Sequence, residues 1–107
     1  MARKIRYEKE VDILKALAHS SRLAILEILE KAPQKPNKPG GVTGVPVSGL
    51  AKKLGISMTS VSKHLKELKT RKLIESERDG NQIYYRLTSP QISSLVQSIK
   101  SLVKEIR

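Results

Sequence analysis

The chain has 107 residues and an aliphatic composition without Trp, Phe or Cys, and its 21 Lys and Arg outnumber 10 Asp and Glu to give a formal charge of +11. This length suits one domain, and the absence of cysteine excludes disulfides, thiolate metal sites and thiol redox sensing. The excess of positive charge predicts a polyanionic partner, most often nucleic acid.

The first part of the chain reads as a basic arm followed by two helices. Residues 1–7 are basic and lack the apolar run of a signal peptide. Apolar residues then recur every three or four positions, which predicts a first helix over residues 8–18. A second, mostly apolar helix follows, with Ser20 or Ser21 as its N-cap. His19, directly before it, is interpreted as a capping or packing residue.

A loop rich in proline and glycine comes next. Residues 33–46 hold four of the five prolines and three of the six glycines, so we expect no regular structure there except a short extended piece at Val45–Val47. The loop is longer than most connections in compact domains. Two roles stay open for it: Lys35 and Lys38 could contact the DNA backbone if the chain binds DNA, or the loop could be a spacer.

Two short helices joined by a tight turn follow the loop. The stretch SGLAKKLGIS predicts a third helix that is capped by Ser48 and ended by Gly55 in the left-handed conformation. Ser57 is placed to cap a fourth helix that runs to about Arg71. Two helices joined by about three residues that include Gly are typical of a helix-turn-helix.

A hairpin and a last helix complete the chain. Leu73–Arg78 and Gln82–Leu87 are strand-like, and Asp79-Gly80 between them supplies the positive φ angles of a tight turn. A hairpin directly after a helix-turn-helix is a wing. The fold class is therefore predicted to be mainly α with a β-hairpin wing (α+β), a winged helix-turn-helix spanning residues 8–107.

The last helix, predicted over residues 90–106, opens with Ser89 as cap and Pro90 at its first position. Its apolar residues are spaced three and four apart, as in a heptad seam: Ile92, Leu95, Ile99, Leu102 and Ile106. Part of this seam can cover the chain's own core. Its regularity favours contact with a second copy of the same helix, and thus a homodimer.

Three motifs in the same order and spacing resemble the ArsR/SmtB-type winged-helix transcriptional regulators: LAHxxRLxIL, SxxSVSKHLKxL and RDGxxxYYRL. The resemblance implies a dimeric DNA-binding repressor that dimerises through its first and last helices. The residues placed at that interface are Val11, Leu14, Ile92, Leu95, Ile99, Leu102 and Ile106. Members that sense metal carry cysteines on the third helix, or Asp and His on the last. This chain has neither set, so we expect no metal site and no cofactor.

The fourth helix carries the candidate contacts to DNA. On an ideal helix with about 100° per residue, Met58, Val61, Leu65 and Leu68 point inward, while short hydroxyls and then lysines point outward. Hydroxyls near the start suit base edges in the major groove, and later cations suit phosphates. The predicted DNA-binding residues are Ser57, Thr59, Ser60, Ser62, Lys63, His64 and Lys66, together with Lys52, Lys53 and Arg78.

Two of these residues, Ser57 and His64, keep alternative interpretations, and Arg86 is a weaker candidate outside this set. Ser57 caps the helix or contacts a base. His64 lies at the edge of the apolar stripe, where it either binds a phosphate or packs with a hydrogen bond. Arg86, farther down the second strand of the wing, is a weaker candidate than Arg78.

We therefore expect a sequence-specific regulator of transcription that binds double-stranded DNA, a homodimeric repressor not controlled by metal. No membrane span is expected, and the chain is expected in the cytoplasm, at the nucleoid. An enzyme is not expected, because no nucleophile–base pair, metal set or phosphate-cradling loop is recognisable. The alternatives are an architectural, sequence-tolerant DNA-binding protein and a winged-helix module that binds another protein. The pattern identifies no small-molecule or protein effector.

Overall fold

The computed structural model describes residues 5–33, 35–36 and 39–107. Within them the elements are α1 (Glu8–Leu17), α2 (Ser20–Lys31), β1 (Val45–Pro46), α3 (Val47–Leu54), α4 (Met58–Thr70), β2 (Ile74–Asp79), β3 (Gln82–Leu87) and α5 (Pro90–Ile106). The predicted fold class, helices with a β-hairpin wing, is confirmed. Residues 5–7 of the predicted basic arm are exposed and irregular, whereas residues 1–4 and Lys38 lie outside the described ranges.

The strands form one antiparallel sheet in the order β1-β3-β2. Asp79 pairs with Gln82, which leaves Gly80 and Asn81 as a two-residue turn. Gly80 has a φ of 65°, whereas Asp79 does not have a positive φ, so the prediction for Asp79 was wrong. A positive φ at the first central residue alone is the pattern of a type II′ turn, which matches the twist of the strands.

The end of the Pro/Gly loop is fixed against the wing. Val45 pairs with Tyr85, and the extended piece ends at Pro46 because Val47 already belongs to α3. Gly44, just before the strand, has a φ of 111°, and a Cβ there would lie 2.3 Å from the carbonyl oxygen of Tyr85. Only glycine allows this close approach of the loop to β3.

Two of the predicted helix caps were wrong. The side chain of His19 caps α2 by accepting a hydrogen bond from the backbone N–H of Ser21 at 3.2 Å, so neither Ser20 nor Ser21 is the cap. Ser48 lies inside α3, because this helix begins at Val47. In both cases the helix starts one or two residues earlier than the nearest serine suggests, and the residue before it takes the cap position.

The other predicted caps are confirmed. The hydroxyl of Ser57 accepts from the backbone N–H of Ser60, and that of Ser89 accepts from the backbone N–H of Gln91. Pro90 stands at the start of α5, where its missing N–H costs no hydrogen bond. Gly55 ends α3 with a φ of 69°, which is left-handed as predicted.

The end of α4 has the same geometry without a glycine. Lys72 has a φ of 62°, and its N–H donates to the carbonyl of Lys69 at 2.9 Å. The N–H of Leu73 donates to the carbonyl of Leu68 at 3.1 Å, which completes a Schellman motif. This motif turns the chain from α4 directly into the wing.

The core is aliphatic, as the composition requires, and lies between the helices and the sheet. Its buried residues are Ala16, Leu17, Ile25, Leu26, Leu29, Leu50, Ala51, Val61, Leu65, Leu68, Leu73, Ile74, Ile92 and Val96. The first half of α5 packs here through Ile92 and Val96, whereas Leu102 and Ile106 near its end are exposed. Within the described residues, no helix is both long and apolar enough to span a membrane.

Candidate nucleic-acid interface

Helix α4 is held in place by its apolar side and by the turn that precedes it. Val61, Leu65 and Leu68 are at most 2% exposed, so one side of α4 is fully covered by the core. The left-handed Gly55 redirects the chain between α3 and α4, and Ser57 starts the new helix. The opposite side of α4 therefore faces outward in a fixed orientation.

We call this outward side the reading face; it consists of Met58, Thr59, Ser62, Lys63 and Lys66. These side chains are exposed and line a shallow, open depression of about 420 Å³. Met58 was predicted to point inward, but it is 55% exposed, so that prediction was wrong. It lies about 60° around the helix from Val61, at the edge of the apolar stripe, and no neighbouring element covers the first turn there.

The predicted contacts at the tip of α4 are partly occupied within the chain. The hydroxyl of Ser57 accepts from the backbone N–H of Ser60 at 3.1 Å and donates to the hydroxyl of Ser60 at 3.0 Å. Ser60 is also half-buried. Both serines thus stabilise the start of α4, and Thr59 and Ser62 beside them present the freer hydroxyl groups.

Five predicted DNA-binding cations lie on or around this face and are exposed: Lys52, Lys53, Lys63, Lys66 and Arg78. Lys52 and Lys53 occupy the last turn of α3, Lys63 and Lys66 belong to α4, and Arg78 lies on β2 near the tip of the wing. None of the five lies within ion-pair distance of a carboxylate belonging to the described residues. Their charge is therefore available to phosphates.

Arg86 on the wing differs from these five. Its Nε donates to Glu75 at 3.1 Å and its Nη1 donates to Glu77 at 2.9 Å. The hydrogen bond that Arg86 donates to Glu77 is the main reason why the pKa of Arg86 is raised above its ordinary value. This guanidinium joins β3 to β2, and its charge is compensated.

His64 takes the packed, hydrogen-bonded position that was one of its two interpretations. It is half-buried, its Nδ1 accepts from Nε of Arg22 at 3.2 Å, and its ring centroid lies 4.4 Å from that of His19. Burial lowers the pKa of His64, and the neighbouring His19 and Arg22 lower it further. A neutral ring is required, because only an unprotonated Nδ1 can accept this hydrogen bond.

Two arginines near His64 were not identified as part of the site by the sequence. Arg22 also donates from Nη1 to the carbonyl of Ala16 at 3.3 Å. Arg71 forms ion pairs with Asp12 at 3.3 Å and with Glu67 at 2.6 Å. Both arginines connect α4 to α1. No local pattern signals Arg22, since 42 positions separate it from His64.

The residues predicted at a dimer interface fall into two groups. Val11 and Leu14 on α1, with Leu95, Leu102 and Ile106 on α5, are exposed apolar side chains. Ile99 is half-buried, and Ile92 is only 8% exposed because it belongs to the chain's own core. An apolar surface therefore exists on both terminal helices, but the start of α5 contributes little to it.

Comparison with known proteins agrees with this geometry. A family model for a helix-turn-helix domain matches residues 17–77, which include α2, α3, α4 and β2 up to Glu77. The chain belongs to the ArsR-type family of winged helix-turn-helix transcriptional regulators. Proteins of this family bind DNA and are not enzymes.

Relatives in two bacteria align over most of this ArsR-type chain. The HTH-type transcriptional regulator YgaV of Escherichia coli K12 is 27% identical over 95 residues, which make up 89% of this chain and 86% of YgaV. The regulator YbzH of Bacillus subtilis 168 is 32% identical over 96 residues, covering 85% of this chain and 95% of YbzH. Some relatives are longer, and the chain spans 35% of one of them.

A solved structure with the same fold is the homodimeric winged helix-turn-helix DNA-binding domain of Mb0332 from Mycobacterium bovis. It aligns with a TM-score of 0.75 and 26% identity, over 98% of this chain and 92% of that one. The two proteins therefore share the arrangement that places α4, which we call the reading helix, and the wing on one domain.

Proposed function

We propose that this protein is a homodimeric, sequence-specific repressor that reads double-stranded DNA in the major groove with α4 and acts in the cytoplasm, at the nucleoid. The observation that supports this proposal is the reading face. Its hydroxyls and lysines point outward, while the opposite side of α4 is buried in the core. Thr59 and Ser62 contact base edges, and the methyl groups of Thr59 and Met58 suit thymine. Lys63 and Lys66 contact phosphates.

The cations outside α4 extend the contact along the DNA backbone. Lys52 and Lys53 lie in the last turn of α3, where they can reach the phosphates beside the groove that α4 enters. Arg78 reaches the backbone or the minor groove from the wing. Affinity arises largely from these phosphate contacts and therefore falls steeply with salt.

A dimer is supported by the apolar surface on the terminal helices. Leu14 and Leu102 are more than half exposed, which leaves apolar side chains of α1 and α5 in contact with water in a single copy. The Mb0332 domain, which has the same fold, is homodimeric. In a dimer, two reading helices would enter successive major grooves about one helical turn apart.

Regulation without metal is supported by how the two histidines are used. Nδ1 of His19 caps α2, and Nδ1 of His64 accepts from Arg22, so each ring offers a metal only its Nε2, and two such nitrogens are fewer ligands than a zinc site needs. The sequence contains no cysteine. Among the described residues, no three His, Asp or Glu side chains form a group that could hold a metal ion.

The test is selection of binding sites from random DNA, followed by titration of variants against the selected site and a scrambled one. Thr59→Ala should change the preferred sequence, whereas Lys52→Ala should weaken binding to both DNAs alike. Lys104→Ala, which removes the same charge from the far end of α5, is the matched control and should change neither. Unchanged binding by a triple Lys52, Thr59 and Lys63 alanine variant would show that the reading face is wrong.

The same titration separates the alternative functions. An affinity ratio near one between selected and scrambled DNA would identify an architectural DNA-binding protein. Weak binding to both DNAs at physiological salt would identify a protein-interaction module. A ratio of about a thousand or more is expected for a specific regulator.

A further inference from the structure

Beside the reading face, α4 presents a second polar stripe toward α1. His64, Glu67 and Arg71 are spaced three and four residues apart, so they lie along one side of the helix. On α1, Asp12 and Ala16 are four residues apart and also share a side. Two arginine side chains connect these stripes.

The first connection is made by Arg22. Its Nη1 donates to the carbonyl oxygen of Ala16 at the end of α1, and its Nε donates to Nδ1 of His64 in the middle of α4. A guanidinium is planar and rigid, so one Arg22 side chain fixes both distances at once. The ring of His19 packs on His64 and limits the ring's rotation.

The second connection is made by Arg71 at the end of α4. Its Nη1 donates to the carbonyl and to the carboxylate of Glu67, at 3.0 and 2.6 Å. Its Nη2 lies 3.3 Å from a carboxylate oxygen of Asp12 on α1, and its side chain is only 20% exposed. The hydrogen bond from Arg71 is the main cause of the lowered pKa of Glu67.

These two connections fix the orientation of α4 on the domain, which the apolar core alone does not fix. Burial of Val61, Leu65 and Leu68 holds α4 on the domain, but hydrophobic contact is not directional. Hydrogen bonds from a guanidinium fork are directional, and two of them at separate points along α4 resist its rotation as well as its translation. In the described part of the chain, these are the polar connections between α4 and α1.

We propose that Arg22 and Arg71 are positioning residues that fix α4 relative to α1 and thereby set the half-site spacing that the dimer accepts. The proposal rests on the proposed function, in which α4 reads DNA and α1 lies in the dimer interface. One path from one reading face to the other then runs through α1, and the contacts that these arginines make are its polar links. Weakening these arginine contacts leaves each reading face intact but allows the distance between the two reading faces to vary.

The experiment compares Arg22→Lys, Arg71→Lys and the double variant with the wild type on the selected operator. The operator is also tested with its half-sites moved one base pair closer and one base pair apart. Lysine keeps the charge but cannot form both fork contacts. We expect the double variant to lose about tenfold in affinity at the preferred spacing. It should bind the shifted operators and random DNA as well as the wild type does, or better.

A purely structural role would give a different result, because partial unfolding lowers the affinity for every DNA in proportion. Arg86→Lys is the matched control, since it breaks a comparable fork on the wing and should leave the spacing preference unchanged. Asp12→Asn tests the second connection without altering an arginine, in case those variants do not fold. Like the arginine variants, it should widen the range of half-site spacings that the dimer accepts, but by a smaller factor.

Lys63→Ala separates failure of this inference from failure of the proposed function. If Lys63→Ala keeps full specific affinity, the reading face itself is wrong. If Lys63→Ala loses affinity while the folded arginine variants and Asp12→Asn keep the wild-type spacing preference, the positioning role is overturned. A wild-type chain that is monomeric on its operator would overturn it too.

Discussion

The reading helix and the wing both present cations at the surface, but they differ in what lies beside those cations. Lys63 and Lys66 on α4 have no carboxylate within ion-pair distance in the described part of the chain. Arg86 on the wing is held between Glu75 and Glu77. The first region therefore keeps its positive charge for a partner, and the second uses its charge to join two strands.

The difference follows the chemistry of the two side chains. Arg22, Arg71 and Arg86 each make two or more contacts with fixed geometry, which the planar guanidinium allows. Lysine is a flexible point charge that follows a phosphate backbone without exact geometry. The formal charge of +11 already subtracts the carboxylates that pair with Arg71 and Arg86, so the excess of positive charge lies on cations outside these pairs.

The largest expected effect concerns how the two regions are held to the domain. Leu65 on α4 is 2% exposed, and Leu65→Ala should lower the free energy of unfolding by about 3 kcal/mol. Ile83 on the wing is 37% exposed, so Ile83→Ala should cost less than about 1 kcal/mol. Urea denaturation of both variants measures the difference. Equal losses would mean that the wing is as firmly anchored as the reading helix.

The next effect concerns the charges themselves. Lys66→Ala and Arg86→Ala remove the same charge, but only the first removes one that is free to contact phosphate. Lys66→Ala should reduce the slope of log affinity against log salt by about 1, whereas Arg86→Ala should leave the slope nearly unchanged. Titration of a selected DNA site at several salt concentrations measures both slopes. Equal reductions would show that net charge alone governs binding, and the contrast between the two regions would fail.

Sequence reasoning succeeded where the signal is local. The five helices, the hairpin and the caps by Ser57 and Ser89 each depend on a few adjacent residues with clear chemistry. The left-handed Gly55 is another such signal, and the structure has it with a φ of 69°. The outward position of Thr59, Lys63 and Lys66 was predicted for the same reason, since helical periodicity alone separates them from the buried side, whereas Met58 was placed on the wrong side.

What the sequence did not predict depends on distances across the fold. Apart from Glu67, which lies one helical turn before Arg71, the partners of Arg22, Arg71 and Arg86 come from other elements, and charge patterns along the chain do not identify them. The seam on α5 is a similar case. Spacing alone cannot distinguish Ile92, which packs on the chain's own core, from Leu102, which lies beyond it. The boundary between the packed and the exposed part of α5 lies where the helix extends past the rest of the domain.

The smallest expected effect is a pH dependence that arises on the inner side of the reading helix. Burial lowers the pKa of His64 in the folded chain below its ordinary value of 6.5, and His19 and Arg22, at the start of α2, lower it further. Below pH 6.5 the unfolded chain therefore takes up a proton before the folded chain does. Stability is complete above about pH 6.5 and decreases as the pH falls from there to the lower pKa of the folded state.

Urea midpoints at pH 7.5, 6.5 and 5.5 test this, with His64→Asn as the variant that keeps an acceptor but does not titrate. The wild type should lose more stability than His64→Asn between the two lower pH values. His19→Asn is the control for the neighbouring ring, because asparagine still caps α2. DNA affinity gives a second measurement. If affinity rose on acidification in the wild type but not in His64→Asn, a protonated His64 would be binding phosphate, and the hydrogen bond from Arg22 would not persist on DNA.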